Sequence, residues 1–239
     1  MRYLSAGNTD RGYVRANNED AFLIDVSHGL YAVADGMGGH QAGEVASTVT
    51  LEALKDTLER NAGLAPESAL SRALQTAGLR LLARTEKEPS LGGMGTTLTA
   101  LLVQEAKGYI VHVGDSRCYR LRDGRFELLT EDHSWVWEQR KAGLIKDADL
   151  FSHPMRNVIT RSVGHGGESN PDIFEIDIKS GDTYVLCSDG LCGFVDDEEI
   201  GTAVKRSATD PEKLVADLIT IALEHGGEDN VTVVALRAE

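Results

Sequence analysis

The chain has 239 residues, 41% hydrophobic and 26% charged, which is enough apolar material for one sizeable core and too little length for two ordinary ones. Asp and Glu total 38 against 24 Lys and Arg, and the resulting net charge of -14 would repel a phosphate backbone, so nucleic-acid binding is not expected. The apolar stretch 98–103 is far short of the about 20 residues a membrane span needs, the N-terminal residues carry no apolar signal core, and three cysteines (Cys118, Cys187, Cys192) cannot all pair with one another, so a reducing cytoplasm is the expected compartment.

No repeat, low-complexity run or linker divides the chain, and a single domain over 1–239 is expected. Short apolar runs at 21–26 and 30–34, separated by Ser27-His28-Gly29, predict a hairpin. From 41 to 60 the period lengthens, placing Ala42, Val45, Ala46, Val49, Leu54 and Leu58 on one stripe of a helix. Pro66 opens a second helix, where its missing N–H costs nothing, with Leu70, Ala73, Leu74, Ala77, Leu81 and Leu82 facing inward. Strands follow at 97–103, 109–113 and 118–121. The last returns through Asp123-Gly124 into 126–129, because Asp-Gly supplies the positive φ angles of a two-residue turn.

Residues 131–164 are mixed and mostly helical in pattern, with Trp135, Val136, Ile145, Leu150 and Phe151 among charges, and read as an excursion from the sheets. Strands resume at 173–178 and 183–187. A helix over 210–225 has Asp210 as N-cap, Pro211 next and Gly226 beyond its end, and a strand at 230–236 follows. Tight turns rather than helical crossovers join most strands, which predicts antiparallel pairing and argues against a doubly wound parallel sheet.

Acidic residues recur where strands begin or end: Glu19 and Asp20, then Asp35, Asp115, Asp189 and Asp229. An antiparallel sheet can gather all six at one end. Glycine follows Asp35 and Asp189, and Asp115 lies between Gly114 and Ser116, so backbone and a cation can approach closely. Such a cluster repels itself unless something positive sits within it. The donors are oxygens, with no His or Cys at regular spacing, which suits Mg²⁺ or Mn²⁺ and argues against zinc or copper. Two such ions about 4 Å apart generate a hydroxide at neutral pH and clamp a phosphoryl group. Taken singly, an Asp-Gly is a turn signal, as Asp123-Gly124 is; only the set carries the chemistry.

Six segments carry a resemblance: Arg15-Ala16-Asn17-Asn18-Glu19-Asp20, Val33-Ala34-Asp35-Gly36-Met37-Gly38-Gly39-His40, Gly95-Thr96-Thr97, Val113-Gly114-Asp115-Ser116-Arg117, Ser188-Asp189-Gly190 and Gly227-Glu228-Asp229-Asn230-Val231-Thr232. In order and spacing they resemble the motifs of the metal-dependent Ser/Thr phosphatases of the PP2C (PPM) family, over nearly the whole chain. The resemblance implies an α+β fold, a four-layer α-β-β-α sandwich with two central antiparallel sheets flanked by helices. It further implies a dinuclear Mg²⁺/Mn²⁺ centre at one end of the sheets and a small flap subdomain at about 131–164 that influences which phosphoprotein is accepted.

By the same resemblance, Asp35 bridges the two metals and the Gly36 carbonyl binds one of them, Asp189 and Asp229 hold the other, and Asp20, with Glu19, acts directly or through metal-bound water. In bacterial members a third, weaker ion sits on the position matched by Asp115, shared with Asp189. Arg15 would grip the substrate phosphate with its planar fork of donors, although the residues alone favour a surface ion pair with Glu19 four positions on. The chain departs from animal members at Met37, where they carry His, which leaves the acid for the departing alkoxide unassigned. His40 is expected at the helix start or in substrate contact. Trp135 and Trp137 are expected to pack under the flap, and Cys187 to be a small core hydrophobe.

The implied function is a cytoplasmic, monomeric protein phosphatase that hydrolyses phosphoserine and phosphothreonine by attack of a metal-bridged hydroxide, with no phosphoenzyme, opposing a bacterial Ser/Thr kinase; type VI secretion is one such setting. A rival is a catalytically silent phosphoprotein-binding regulatory module on the same fold, which would be expected to lack ligand aspartates. None that can be matched is missing. A third reading keeps the fold and changes the target, to phosphotyrosine, phosphoarginine or an anti-sigma-type regulator.

Overall fold

Successive strand residues point to opposite faces, and along the central strands of this chain both faces are apolar. In the computed structural model, which describes residues 1–38, 42–146, 150, 153–164 and 169–239, the strands form two antiparallel sheets. One runs in the order β1 (Tyr3–Asp10), β11 (Val231–Ala238), β10 (Thr183–Cys187), β7 (Arg117–Arg122), β8 (Arg125–Leu128). The other runs β2 (Asp20–Asp25), β3 (Leu30–Met37), β5 (Leu98–Gln104), β6 (Lys107–Val113), β9 (Asp172–Asp177), with the short β4 (Gly95–Thr96) paired to β3.

The alternation sorts the apolar side chains into three clusters. Leu30, Ala32 and Ala34 of β3 face a layer completed by α1 (Ala42–Arg60) and α2 (Pro66–Lys87). Val185 and Cys187 of β10 face one completed by α5 (Asp197–Ser207) and α6 (Pro211–Glu224). The intervening residues, Tyr31 and Val33 on one strand and Tyr184 and Leu186 on the other, meet between the sheets. The result is the four-layer α-β-β-α sandwich, and Cys187 is the buried hydrophobe expected of it.

Local chemistry agrees with these boundaries. Asp123 and Gly124 take φ of 50° and 77°, as the two-residue turn requires. Pro66 opens α2, and the Asp210 carboxylate accepts from the Lys213 N–H at the start of α6. Three differences from expectation have physical causes. β1 is a strand the local pattern does not announce, because its sequence, YLSAGNTD, lacks a clean alternation; it is an edge strand of mostly half-buried residues that depends on β11 for its pairing. Leu82 is 58% exposed instead of inward, since Leu74, Ala77 and Leu81 already fill the buried stripe of α2. In the 131–164 region the only helix among the described residues is the short α3 (Trp135–Lys141); turns and two isolated bridges, Thr96 to Val163 and Ser134 to Ile159, account for much of the rest. Phe151 lies outside the described residues. Among those described, no helix is long and apolar enough to cross a membrane.

Candidate functional site

The antiparallel register of β2 and β3 sets Asp20 directly across from Asp35, at the end of the hairpin opposite its turn. The turn after β6 supplies Asp115, the short helix α4 (Asp189–Cys192) after β10 supplies Asp189, and Asp229 lies just ahead of β11. A cleft of about 580 Å³ is lined by Arg15, Asp35, Gly36, Asp115, Asp189 and Asp229, with Glu19 on its wall. Asp20 is not in that lining. It is buried and accepts from the Ser188 hydroxyl at 2.7 Å.

Residues beside the acidic positions hold them in place. The Thr97 hydroxyl accepts from the Asp35 N–H at 2.9 Å and lies 2.8 Å from the Ser116 hydroxyl, which joins two acidic turns. The Thr96 hydroxyl and Thr97 N–H both donate to the Asp35 carbonyl. Ser188 Oγ, donor to Asp20, accepts in turn from the Thr232 N–H at 2.9 Å. Asn230 accepts from the Glu19 N–H through Oδ1 and donates through Nδ2 to the Arg11 and Asn17 carbonyls, pinning the loop that carries Arg15. Sequence reasoning misses these roles, although all four residues sit inside the quoted motifs.

The cluster is electrostatically unsatisfied. Burial pushes the Asp20 carboxyl up to about 7, with Asp189 and Asp229 adding to the rise against the Ser188 and Thr232 hydroxyls. Burial likewise raises Asp189 to about 6, helped by Asp229. Asp35 is raised well above the ordinary range by burial, then by Asp20, Asp189 and Asp115; Asp115 is raised by burial, then by Asp189 and Asp132. Buried oxygens Asp20 Oδ1 and Asp115 Oδ1 have no hydrogen-bond partner. Unpaired buried acceptors cost free energy unless a proton or cation meets them.

Arg15 does not pair with Glu19 in an i,i+4 ion pair. Its Nη2 meets Asp229 Oδ2 at 2.5 Å, and the guanidinium stands half exposed at the rim. Met37 lines the cleft. His40 lies outside the described residues. Trp135 and Trp137 are only half buried: Trp135 stands 5.2 Å from the His153 ring, and Trp137 has the Arg140 guanidinium 4.5 Å above its ring, while Val136 between them is the buried residue.

The 131–164 region is tied to the cleft through His133. Its N–H donates to the Gly114 carbonyl at 2.7 Å and its Nδ1 accepts from the Gly114 N–H at 3.2 Å, one residue ahead of Asp115. Its Nε2 lies 3.1 Å from Asp172 Oδ2 and 3.1 Å from Arg161 Nη1. Arg117 adds a second tie through two bonds to Asp132. Among the described residues, the one trio of ligand-type atoms within 4.8 Å of each other is Asp25, His28 and Glu59, toward the turn of the β2–β3 hairpin. There Asp25 is already met by Ser27, His28 and the Lys55 ammonium at 3.5 Å, so an ion pair fills that place.

Residues 11–220 match the profile of the family described as Protein phosphatase 2C. The chain belongs to the protein phosphatase 2C family. This PP2C chain is 42% identical over 234 residues to the serine/threonine protein phosphatase PstP of Mycobacterium tuberculosis, a match covering 98% of this chain and 44% of that protein. It therefore spans less than half the length of that relative. It is 38% identical over 239 residues to the serine/threonine phosphatase Stp of Listeria monocytogenes, covering 97% and 94% of the two. Among solved structures, the catalytic domain of PstP in complex with two manganese ions superposes with a TM-score of 0.90 at 38% identity, over 99% of both chains.

Proposed function

We propose that this PP2C chain is a metal-dependent hydrolase that removes phosphate from phosphoserine and phosphothreonine in proteins, in a reducing cytoplasm where its three unpaired buried thiols persist, opposing a Ser/Thr kinase. The observation that carries this reading is the convergence of Asp35, Asp115, Asp189 and Asp229 from separate segments on one cleft, with Asp20 buried opposite Asp35 and Arg15 at the rim. The residues present fit hard divalent ions: all the side-chain donors are oxygens, two are buried without partners, and burial together with neighbouring carboxylates raises Asp35 and Asp189. Asp35, the Gly36 carbonyl, Asp189 and Asp229 would hold the two ions, and Asp20 would back the set. Asp115, with Asp189, would serve a third. A manganese pair in the PstP structure supports the choice of metal class.

When bound, such ions bring the pKa of water toward neutrality and draw charge from phosphoryl oxygens. The chain's own contribution is positioning. Arg15 offers planar donors to the phosphate, Asn230 fixes the loop that carries it, and Thr97 and Ser188 hold Asp35 and Asp20 against their mutual repulsion. The silent-module reading loses support because no aspartate of the matched set is absent.

The test is hydrolysis of p-nitrophenyl phosphate and of phosphoserine, phosphothreonine and phosphotyrosine peptides with Mn²⁺, with Mg²⁺ and with chelator. Activity is expected only with an ion, and on the Ser and Thr peptides above the Tyr peptide; turnover that survives chelation overturns the reading. In the same assay Arg15→Ala is expected to raise KM about 10- to 100-fold, the value of a charge-assisted contact, with Arg15→Lys between the two.

A further inference from the structure

A second cavity, of about 250 Å³, adjoins the catalytic cleft and shares Asp115, Asn157 and Asp189 with it as common wall. Its opposite wall includes Val136, Trp137 and Arg140 of α3, with Leu150 and Arg156. We propose that this cavity receives one apolar side chain of the protein substrate, within about two residues of the phosphorylated one along an extended segment rising about 3.3 Å per residue. The proposal rests on the phosphatase reading above and adds a substrate class to it.

Size selects the kind of occupant. The cavity is below the roughly 300–1,000 Å³ of small-molecule sites and offers room for a single large side chain. Its apolar lining comes from Val136, Trp137, Leu150 and Cys192. Most of the charged groups around it have partners, while Trp137 Nε1 is a buried donor with no hydrogen-bond partner. Arg117 binds Asp132 through Nε and Nη2, at 2.9 and 2.8 Å, and reaches Tyr119 Oη and Asp197 through Nη1, at 3.2 Å each. Arg140 lies over Trp137 at 4.5 Å, while Arg156 lies over Phe194 at 5.1 Å and donates to the Gly193 carbonyl. Asp115 and Asp189 belong to the ion site. A charged side chain entering here would lose its hydration among groups of both signs, most of them already partnered, whereas an apolar one only leaves water.

Continuity supplies the link to substrate. A peptide that lodges its phosphate between Arg15 and the aspartates passes the shared wall, and a neighbouring side chain can turn into the cavity beyond it. The roof is held in register with the metal-side turn by the two hydrogen bonds between His133 and Gly114, so pocket and cleft keep a fixed spacing.

The experiment measures kcat/KM with Mn²⁺ on phosphopeptides bearing Ala, Leu, Phe, Glu or Lys at each position from -2 to +2. Wild type is compared with Leu150→Trp, which fills the cavity, and Trp137→Ala, which enlarges it, with p-nitrophenyl phosphate as the substrate that has no flanking residue. The wild type is expected to favour Leu or Phe by about 10-fold over Ala, Glu and Lys at one position. Leu150→Trp should reduce that preference to within about twofold, Trp137→Ala should shift it toward Phe, and both should keep p-nitrophenyl phosphate turnover within about twofold of wild type. A flat wild-type profile, a preference for Glu or Lys, or a preference that survives both variants overturns the pocket assignment and leaves the phosphatase reading intact. A wild type that cleaves p-nitrophenyl phosphate and none of the peptides overturns the protein-phosphatase reading, and the pocket with it.

Discussion

Asp35→Asn is expected to yield a protein that is more stable than wild type without metal and has lost its hydrolytic activity by a factor of about a thousand or more. Burial holds the Asp35 carboxyl well above the ordinary aspartate value of 3.8, and Asp20, Asp189 and Asp115 raise it further. A group whose folded-state pKa lies above its unfolded value contributes stability that is present below the unfolded pKa and lost as pH rises through the folded one. With Asp20 at about 7 and Asp189 at about 6, the metal-free protein should lose stability between about pH 4 and pH 7. Carboxylates paired elsewhere, such as Asp25 and Asp182, are lowered and act only at more acidic pH, so they do not mask that window.

Raising a carboxyl's pKa by one in the folded state costs about 1.4 kcal/mol of stability once the group is ionised, which makes the cluster's repulsion several kcal/mol in order of magnitude. Replacing Asp35 by a neutral isostere removes one charge from its centre and should raise the chelated melting temperature at pH 7.5 by about 5–10 °C for a chain of this size. Mn²⁺ should stabilise wild type increasingly as pH rises, because binding displaces protons, and should stabilise the variant far less. Thermal melts from pH 5 to 8 with chelator or Mn²⁺, alongside turnover, decide it. A metal-free wild type that gains stability from pH 4 to 7 would show that these aspartates do not repel one another.

What was legible in the sequence follows from how local each signal is. Hairpins, caps and helix stripes depend on neighbours a few residues apart, and the β2–β3 and β7–β8 turns, Pro66 and Asp210 fall where the local pattern puts them. β1 has no such signal, because its place is decided by pairing with β11 more than 220 residues later. α5 is absent from the sequence expectation although Asp196 accepts from the Glu199 N–H at its start and Ile200, Ala203 and Val204 form its buried stripe; those cues are short and mixed with charge.

The site divides in the same way. The acidic residues could be picked out because they stand at strand ends, and the cleft gathers all of them but Asp20, which is buried opposite Asp35. The purpose of Thr97, Ser188 and Asn230 is defined by partners 19 to 219 residues away, as is the pairing of Arg15 with Asp229 rather than Glu19. The pair of hydrogen bonds between His133 and Gly114 has no sequence signature at all, since it depends on where the residue 131–164 region folds back.

The sharpest structural test of that convergence uses two glycines. At Gly190 an added Cβ would sit 1.9 Å from the Asn230 carbonyl oxygen and 2.7 Å from its carbon, both backbone atoms. Neither can yield easily. Asn230 is anchored by its bonds to Glu19, Arg11 and Asn17, and the Ser188 N–H holds β10 to the Thr232 carbonyl at 3.0 Å. Gly190→Ala must therefore push the turn bearing Asp189 away from the strand that follows Asp229, at a cost of at least about 3 kcal/mol. Gly78, within α2, has nothing within 4 Å of the same added atom, and an alanine there replaces a poor helix former by the best one, a gain of about 1 kcal/mol. Urea unfolding and calorimetric Mn²⁺ titration of the two variants should separate them: Gly78→Ala more stable with wild-type Mn²⁺ binding, Gly190→Ala less stable with weakened binding. A Gly190→Ala protein with wild-type stability and Mn²⁺ affinity would mean that Asp189 and Asp229 are not held together by this backbone contact.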